Sequence, residues 1–161
     1  MTNHGVETAL NALGIELVRA GVGDRYVLEQ LVEHGWIIGG EGSGHLLMLD
    51  KHSTGDGIIS CLQVLQACLR HGKTMTEMLS GVDMMAQCLV NVKLQAGTDW
   101  KTHTAFQRSC QETEAALNGR GRVLSRPSGT EPVLRIMVES LDMQTSQHHA
   151  ELLSQSLKRV D

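Results

Sequence analysis

Arg126-Pro127-Ser128-Gly129-Thr130-Glu131-Pro132 separates two short apolar runs, Arg122–Ser125 and Val133–Glu139. Two strand-forming runs joined by a proline- and glycine-bearing loop predict an antiparallel pair. Upstream, Cys88, Val90, Val92 and Leu94 alternate with Leu89, Asn91 and Lys93, the period of a half-buried strand. Phe106, Cys110 and Leu117 share one face of a helix that Asn118-Gly119 closes. Downstream, Leu153, Leu157 and Val160 give a last helix its apolar stripe. The order β-α-β-β-α predicts a small α+β domain, an antiparallel sheet with helices on one face.

The first half reads as α/β. Residues 5–13 predict a helix and Leu17-Val18-Arg19-Ala20 a short strand. Gly23-Asp24 offers an N-cap for a helix carrying Val27, Leu28 and Leu31, which ends near Gly35. Trp36–Ile38 and His45–Leu49 read as strands around the glycine-rich turn of residues 39–44. Asp56 caps a long helix whose apolar positions Ile58, Leu62, Leu65 and Leu69 form a stripe to be buried. Thr74-Met75-Thr76-Glu77 has the capping-box pattern. The boundary falls within Gly81–Gln87, giving domains 1–82 and 86–161.

Composition excludes several classes. With 161 residues there is room for one ordinary domain or two small ones. Four aromatic rings (Tyr26, Trp36, Trp100, Phe106) and a net charge of −4 exclude a base-stacking or polyanion-binding surface, so no nucleic-acid partner is expected. No run reaches the length of a membrane span, and Met1-Thr2-Asn3-His4-Gly5 is unlike a signal peptide. Cys61, Cys68, Cys88 and Cys110 form no Cys-x-x-Cys pair and read as reduced, mostly buried thiols of a cytoplasmic protein.

Two loops have the residue types for chemistry. In 126–132, Gly129 lets a ligand approach the backbone and Ser128 and Thr130 add hydroxyls. Arg126 and Arg135 bring planar forks matched to phosphate oxygens. The same loop reads equally as a plain hairpin turn with Arg126 paired to Glu131. In 39–45, Glu41 accepts hydroxyl protons and Ser43 donates and accepts, which suits a sugar; a flexible turn with a solvated Glu41 is the alternative. Its glycines lie between two strands rather than opening a helix, so it is not a dinucleotide fingerprint. Asp56 is better explained as a cap than as a metal ligand beside Asp50 and His52. His148 and His149 are expected to point apart on their helix. No serine or cysteine stands in a recognisable nucleophile motif.

Gly39–His45 (Gly-Gly-Glu-Gly-Ser-Gly-His), 53–57 (Ser-Thr-Gly-Asp-Gly) and Arg126–Pro132 occur in the order found in the α-D-phosphohexomutases, which the chain resembles from about Asn3 to its end. Val22–Val27 and 53–57 resemble the bacterial amino-sugar branch of that family. The resemblance implies a fragment: most of a third, α/β domain without its opening strand, then the fourth, phosphate-binding domain. The family's phosphoserine loop and its aspartate-rich Mg²⁺ loop have no counterpart here, so no catalytic residue and no metal ligand is expected in the chain. The implied reaction interconverts glucosamine 6-phosphate and glucosamine 1-phosphate through glucosamine 1,6-bisphosphate. Glu41 and Ser43 would then hold sugar hydroxyls, with His45 shaping the loop. Arg126, Ser128, Gly129 and Thr130 would grip the phosphate that is not transferred. Arg25 would contact a ligand phosphate or pair with Asp24 or a neighbouring acid. Gly42 stands where the family more often has an amide side chain, which loosens amino-sugar preference. A phosphomannomutase or phosphoglucomutase fragment and a non-catalytic sugar-phosphate module are the competing readings. The lost strand leaves a sheet edge through which a homodimer is expected.

Overall fold

The computed structural model describes residues 2–94, 98–129 and 131–158. The chain divides into two compact units, Met1–Asp83 and Met84–Asp161.

The first unit is built of helices around a two-stranded hairpin. Helix α1 (His4–Ala12) starts where the Asn3 side chain accepts the Gly5 amide. A Cβ on Gly5 would lie 2.0 Å from the Asp83 carbonyl oxygen, so the end of the unit closes against the start of α1. Helix α2 (Asp24–His34) has Gly23 as its N-cap, with no side chain to cap it, and Asp24 is already its first residue. Gly35 ends it at φ 65°, a left-handed conformation that glycine adopts without penalty. Strands β1 (Ile38–Gly40) and β2 (Leu46–Met48) pair antiparallel with Gly39 opposite Leu47. Helix α3 (Gly57–His71) is capped by Asp56, whose carboxylate accepts the Ile58 and Ile59 amides. Helix α4 (Met75–Met78) carries the reciprocal Thr74–Glu77 capping box. Both caps lie where the sequence motif puts them, because each needs only residues within one helical turn.

Three expectations change in this unit. Residues 17–20 are not a strand, since their backbone has no described strand to pair with. The first hairpin arm lies two residues later than expected and takes in the first two glycines of the turn, Gly39 and Gly40. The α3 stripe forms with the right period but stays in solvent, with Ile58 74% and Leu69 83% exposed. Among the described residues only Leu31 and Leu47 are buried hydrophobics of this unit. A slight core is the physical consequence.

The second unit is a three-stranded antiparallel sheet in the order β3-β5-β4, from β3 (Ala86–Lys93), β4 (Gly121–Pro127) and β5 (Val133–Ser140). Helices α5 (Thr104–Leu117) and α6 (Met143–Ser156) cover one face. Successive side chains of a strand face opposite ways, so the pleat sorts β5 into two sets. Leu134, Ile136 and Val138 join Val92, Phe106, Leu117, Ala150 and Leu153 in the core. Arg135, Met137 and Glu139 face the other way. On that outer face Arg122 on β4 pairs with the fully buried Glu139 directly opposite on β5. Asn118 (φ 46°) and Gly119 (φ 72°) close α5 as the sequence predicts. Asp142 caps α6 by accepting the Thr145 amide at 2.8 Å. Val160, assigned to the last stripe, lies outside the described residues.

The thiols are less buried than expected: Cys61 is exposed and the other three are half-buried. Burial, with Glu114 adding to it, still raises the Cys110 thiol to about 11. His148 and His149 do not diverge; their ring centroids lie 5.4 Å apart, edge to face.

Two outcomes test this packing. Phe106→Ala removes a fully buried ring and should cost the second unit about 3–5 kcal/mol in urea unfolding followed by amide signals of its strands. Bonds from the Thr145 backbone and hydroxyl hold the Asp142 carboxyl below its ordinary pKa. The folded group therefore titrates below the unfolded one, so the cap's charge stabilises above the unfolded pKa and fades as pH falls through the folded one. Asp142→Asn should lower the thermal midpoint at neutral pH, and the gap to wild type should close as the pH falls below the ordinary carboxylate range.

Candidate functional site

The loop after β4 is positioned by the sheet register. Arg126 on β4 lies directly opposite Arg135 on β5, and Arg135 lies opposite Asn91 on β3. One residue pair further along, Lys93 faces Val133. All of these point to the outer face by strand alternation, so Lys93, Arg135 and Arg126 gather at the end of the sheet that carries the loop. Like charges directly opposite each other destabilise a strand pair. The Nε atom of Arg126 is nevertheless buried without a hydrogen-bond partner. No ion pair joins Arg126, Arg135 or Lys93 to an acid among the described residues. The plain-hairpin reading, in which Arg126 is neutralised by Glu131, therefore does not hold.

The loop backbone is partly committed. The Ser128 amide donates to the Val133 carbonyl at 2.8 Å, extending the ladder by one residue, and the Val133 amide donates to the Glu131 carbonyl at 2.7 Å. The Leu94 amide donates to the Pro132 carbonyl at 3.0 Å, which ties the loop to the end of β3. The Ser128 N–H therefore belongs to the sheet and is not open to a ligand. Gly129 is exposed, and a Cβ added there would meet nothing within 4 Å. No described neighbour demands glycine at that position; a bare backbone open to solvent is what it provides. Thr130 lies outside the described residues.

In the first unit the glycine-rich turn closes between β1 and β2, with the Glu41 amide donating to the His45 carbonyl at 2.9 Å. The Glu41 side chain turns back to α2, where its Oε1 accepts the Gly23 amide at 3.0 Å. A carboxylate suits that place, because the start of a helix carries partial positive charge and Gly23 has no side chain of its own to cap it. His45 lies beside the same helix start, its Nδ1 3.7 Å from the Asp24 carboxylate. Its ring also presses on Gly55: a Cβ there would come within 1.8 Å of the His45 Nε2. Glu41, His45, Asp24 and the 53–56 loop are therefore brought together. Ser43 is left exposed at the tip, and Arg25 is 81% exposed and bonded to Glu29 at 2.9 Å, one helical turn on. Of the acids weighed for Arg25, the neighbour on its own helix face takes it, since i and i+4 meet side by side.

Sequence reading missed Lys93 and Asn91 as members of the cationic face. The signal was present in the alternation of 88–94, but only the β3–β5 register shows which end of the strand meets Arg135. No cluster of three or more His, Cys, Asp and Glu side chains able to hold a metal ion occurs among the described residues. His52 is engaged with Thr54 in its turn, and Asp56 is spent on its helix. No described helix is long and apolar enough to cross a membrane.

Comparison with known proteins places both units in one family. Residues 1–85 match the model for phosphoglucomutase/phosphomannomutase, alpha/beta/alpha domain III, and residues 89–152 that for the C-terminal domain. Phosphoglucosamine mutase of Ralstonia pickettii is 60% identical over 158 residues, 98% of this chain. That of Burkholderia pseudomallei is 55% identical over 160 residues, 99% of this chain. The chain spans about 35% of the length of either relative. Among solved structures, an Aspergillus fumigatus N-acetylphosphoglucosamine mutase in complex with glucose 1,6-bisphosphate aligns with a TM-score of 0.76 at 17% identity, over 97% of this chain and 36% of its own. A second structure from that organism, in complex with GlcNAc-6P and magnesium, aligns with a TM-score of 0.71 at 17% identity, over 94% of this chain and 38% of its own. These two show a shared fold. With both of its units matched in order, the chain belongs to the phosphoglucomutase/phosphomannomutase family, as domain III followed by the C-terminal domain.

Proposed function

We propose that the chain supplies the sugar- and phosphate-recognising part of a phosphoglucosamine mutase, which interconverts glucosamine 6-phosphate and glucosamine 1-phosphate. The observation that carries this reading is the cross-strand pair Arg126 and Arg135, directly opposite in register and joined to no acid among the described residues. Two guanidinium groups kept close in a sheet repel each other until an anion lies across them. A phosphate dianion meets that need, since its oxygens match the planar forks of both side chains. Lys93 adds a third charge and Asn91 an amide. Ser128 contributes its hydroxyl, and the exposed Gly129 leaves the phosphate free to approach the backbone. Thr130 completes the loop in this reading.

The 39–45 turn is assigned to the sugar. Glu41 accepts from a hydroxyl with the carboxylate oxygen not bound to Gly23, Ser43 reaches a hydroxyl from the tip, and His45 braces the turn against Gly55. Arg25 is exposed enough to exchange Glu29 for a ligand phosphate. The 55–60% identity to phosphoglucosamine mutases supports the amino sugar over glucose or mannose, even with Gly42 in the turn.

Phosphoryl transfer depends on positioning and on charge stabilisation more than on a strong base. The residues here do the positioning: they hold the phosphate that is not transferred while the other end of the sugar reacts. The phosphoserine donor and the bisphosphate intermediate, glucosamine 1,6-bisphosphate, belong to the remainder of a longer enzyme in this reading. So does Mg²⁺, because the described side chains offer it no carboxylate cluster, and no step here runs through it. A phosphorylated hexosamine is the partner. A cytoplasmic setting goes with it, supported by four cysteines that form no disulfide.

Two measurements test the proposal. Isothermal calorimetry with glucosamine 6-phosphate should show binding that weakens about ten- to hundredfold in Arg126→Ala and again in Arg135→Ala, the effect of losing a charge-assisted contact. Equal affinity in wild type and both variants would refute the phosphate site. A coupled assay on the chain alone should give no mutase turnover. Turnover would mean that the chain contains a phosphoryl carrier and would overturn the division of labour described above.

A further inference from the structure

Helices α5 and α6 lie on the core face of the second unit's sheet, the face turned away from Arg126 and Arg135. Between the two helices is a cavity of about 230 Å³. Helix α5 lines it with Ser109, Glu112 and Thr113, and α6 with His149, Gln155 and Ser156. Positions 109, 112 and 113 fall on one side of a helix, as do 149 and 156, so each helix turns a polar stripe toward the other.

Polar side chains are costly in a helix–helix seam unless they are hydrogen-bonded. Thr113 is only 3% exposed and Ser156 only 5%. The Ser156 hydroxyl is satisfied by donating to the Leu153 carbonyl at 2.8 Å. The Thr113 hydroxyl makes no hydrogen bond among the described residues. The Nδ1 atom of His149 is also buried without a partner. Burial, with His148 beside it, lowers the His149 pKa, so this imidazole is uncharged at neutral pH. The seam therefore holds polar capacity that the described chain leaves unused.

Charge and hydrogen-bonding type say what would use it. No lysine or arginine lines the cavity, and its one charged group, Glu112, is already paired with Arg108 at 2.8 Å. A phosphate would find no countercharge there and would be repelled by the carboxylate. The Ser109 and Thr113 hydroxyls, the Gln155 amide and a neutral imidazole each both donate and accept. A ligand hydroxyl does both as well, so a molecule with several hydroxyls matches the whole set. Leu152, which is 43% exposed, also lines the cavity and offers an apolar patch for C–H groups. The volume is below that of pockets for drug-sized ligands, which limits the occupant to about one sugar ring.

We propose that the seam between α5 and α6 binds a small uncharged polyol of the size of a free hexose, at a site separate from the phosphate loop. The inference goes beyond the mutase reading and does not depend on it. It assigns the two faces of this unit opposite preferences: the Arg126–Arg135 face takes the phosphorylated sugar, and the α5–α6 seam takes the sugar without its phosphate.

The experiment follows the backbone amide signals of the whole chain by NMR during titration with D-glucose and, separately, with glucose 6-phosphate. D-glucose should shift the Ser109, Thr113 and His149 signals saturably, with a millimolar Kd as expected for so small a ligand. Glucose 6-phosphate should leave those three signals in place. Thr113→Val keeps the side-chain shape without the hydroxyl and should weaken glucose binding about three- to tenfold, the effect of one neutral hydrogen bond. Ser109→Leu fills the cavity from its half-buried rim and should abolish the shifts. Arg126→Ala, on the other face, should leave them unchanged, which separates this site from the phosphate site. Absence of saturable shifts at glucose concentrations on the order of 100 mM overturns the proposal. So do shifts that persist undiminished in both Thr113→Val and Ser109→Leu, or glucose 6-phosphate binding there as tightly as glucose.

Discussion

Arg126 and Arg135 face each other across β4 and β5, and the proposed phosphate site depends on that pairing. Register holds them there. Leu134, Ile136 and Val138 must face α5 and α6, and a slip by one residue would turn that whole set outward. Core burial thus keeps two like charges together at a cost the pair itself would not sustain. Among the described residues no acid pairs with either side chain, and the buried Nε of Arg126 has no acceptor. At the far end of the same face Arg122 and Glu139 do the opposite, a cation and a fully buried carboxylate matched across the same two strands. One end of the face is neutral by design of its residues, and the other is left positive beside an open loop.

The two units differ in how well they satisfy themselves. The second has a core of fully buried side chains on one face of its sheet and helices capped at both ends. The first has good local structure and little core: its helices are capped by Asn3, Asp56 and Thr74, yet its apolar stripe on α3 stays in water. Short-range caps stabilise a helix whatever lies beside it, whereas burial requires a neighbour. The exposed stripe on α3 is therefore apolar surface for which the described residues supply no neighbour.

Glu41 illustrates how a proposed binding residue is held in place. Its carboxylate is oriented by the Gly23 amide at the start of α2 rather than left free in a flexible turn, and His45 is locked beside it by Gly55. Both constraints reduce what is lost on ordering a ligand. Gly23 and Gly55 act there through their missing side chains, one leaving the helix start uncapped and the other leaving space for a ring.

Much of this was legible in residue order. The Asp56 and Thr74 helix caps, the closing Asn118-Gly119, the β-α-β-β-α order of the second unit and the 126–132 loop follow from interactions between residues close in sequence, where propensity and hydrogen-bond geometry act directly. Resemblance of the short motifs to a known family placed the chemistry. Tertiary structure decided the rest, because it sets which distant groups meet. Only the β3–β5–β4 register brings Lys93 and Asn91 to the arginines and commits the Ser128 amide to the ladder. Only the fold shows Arg25 turned to Glu29 and the 17–20 segment left unpaired. The apolar period of α3 looks the same in sequence whether its face is covered or bare, since periodicity records the face a helix offers and not what is present to meet it.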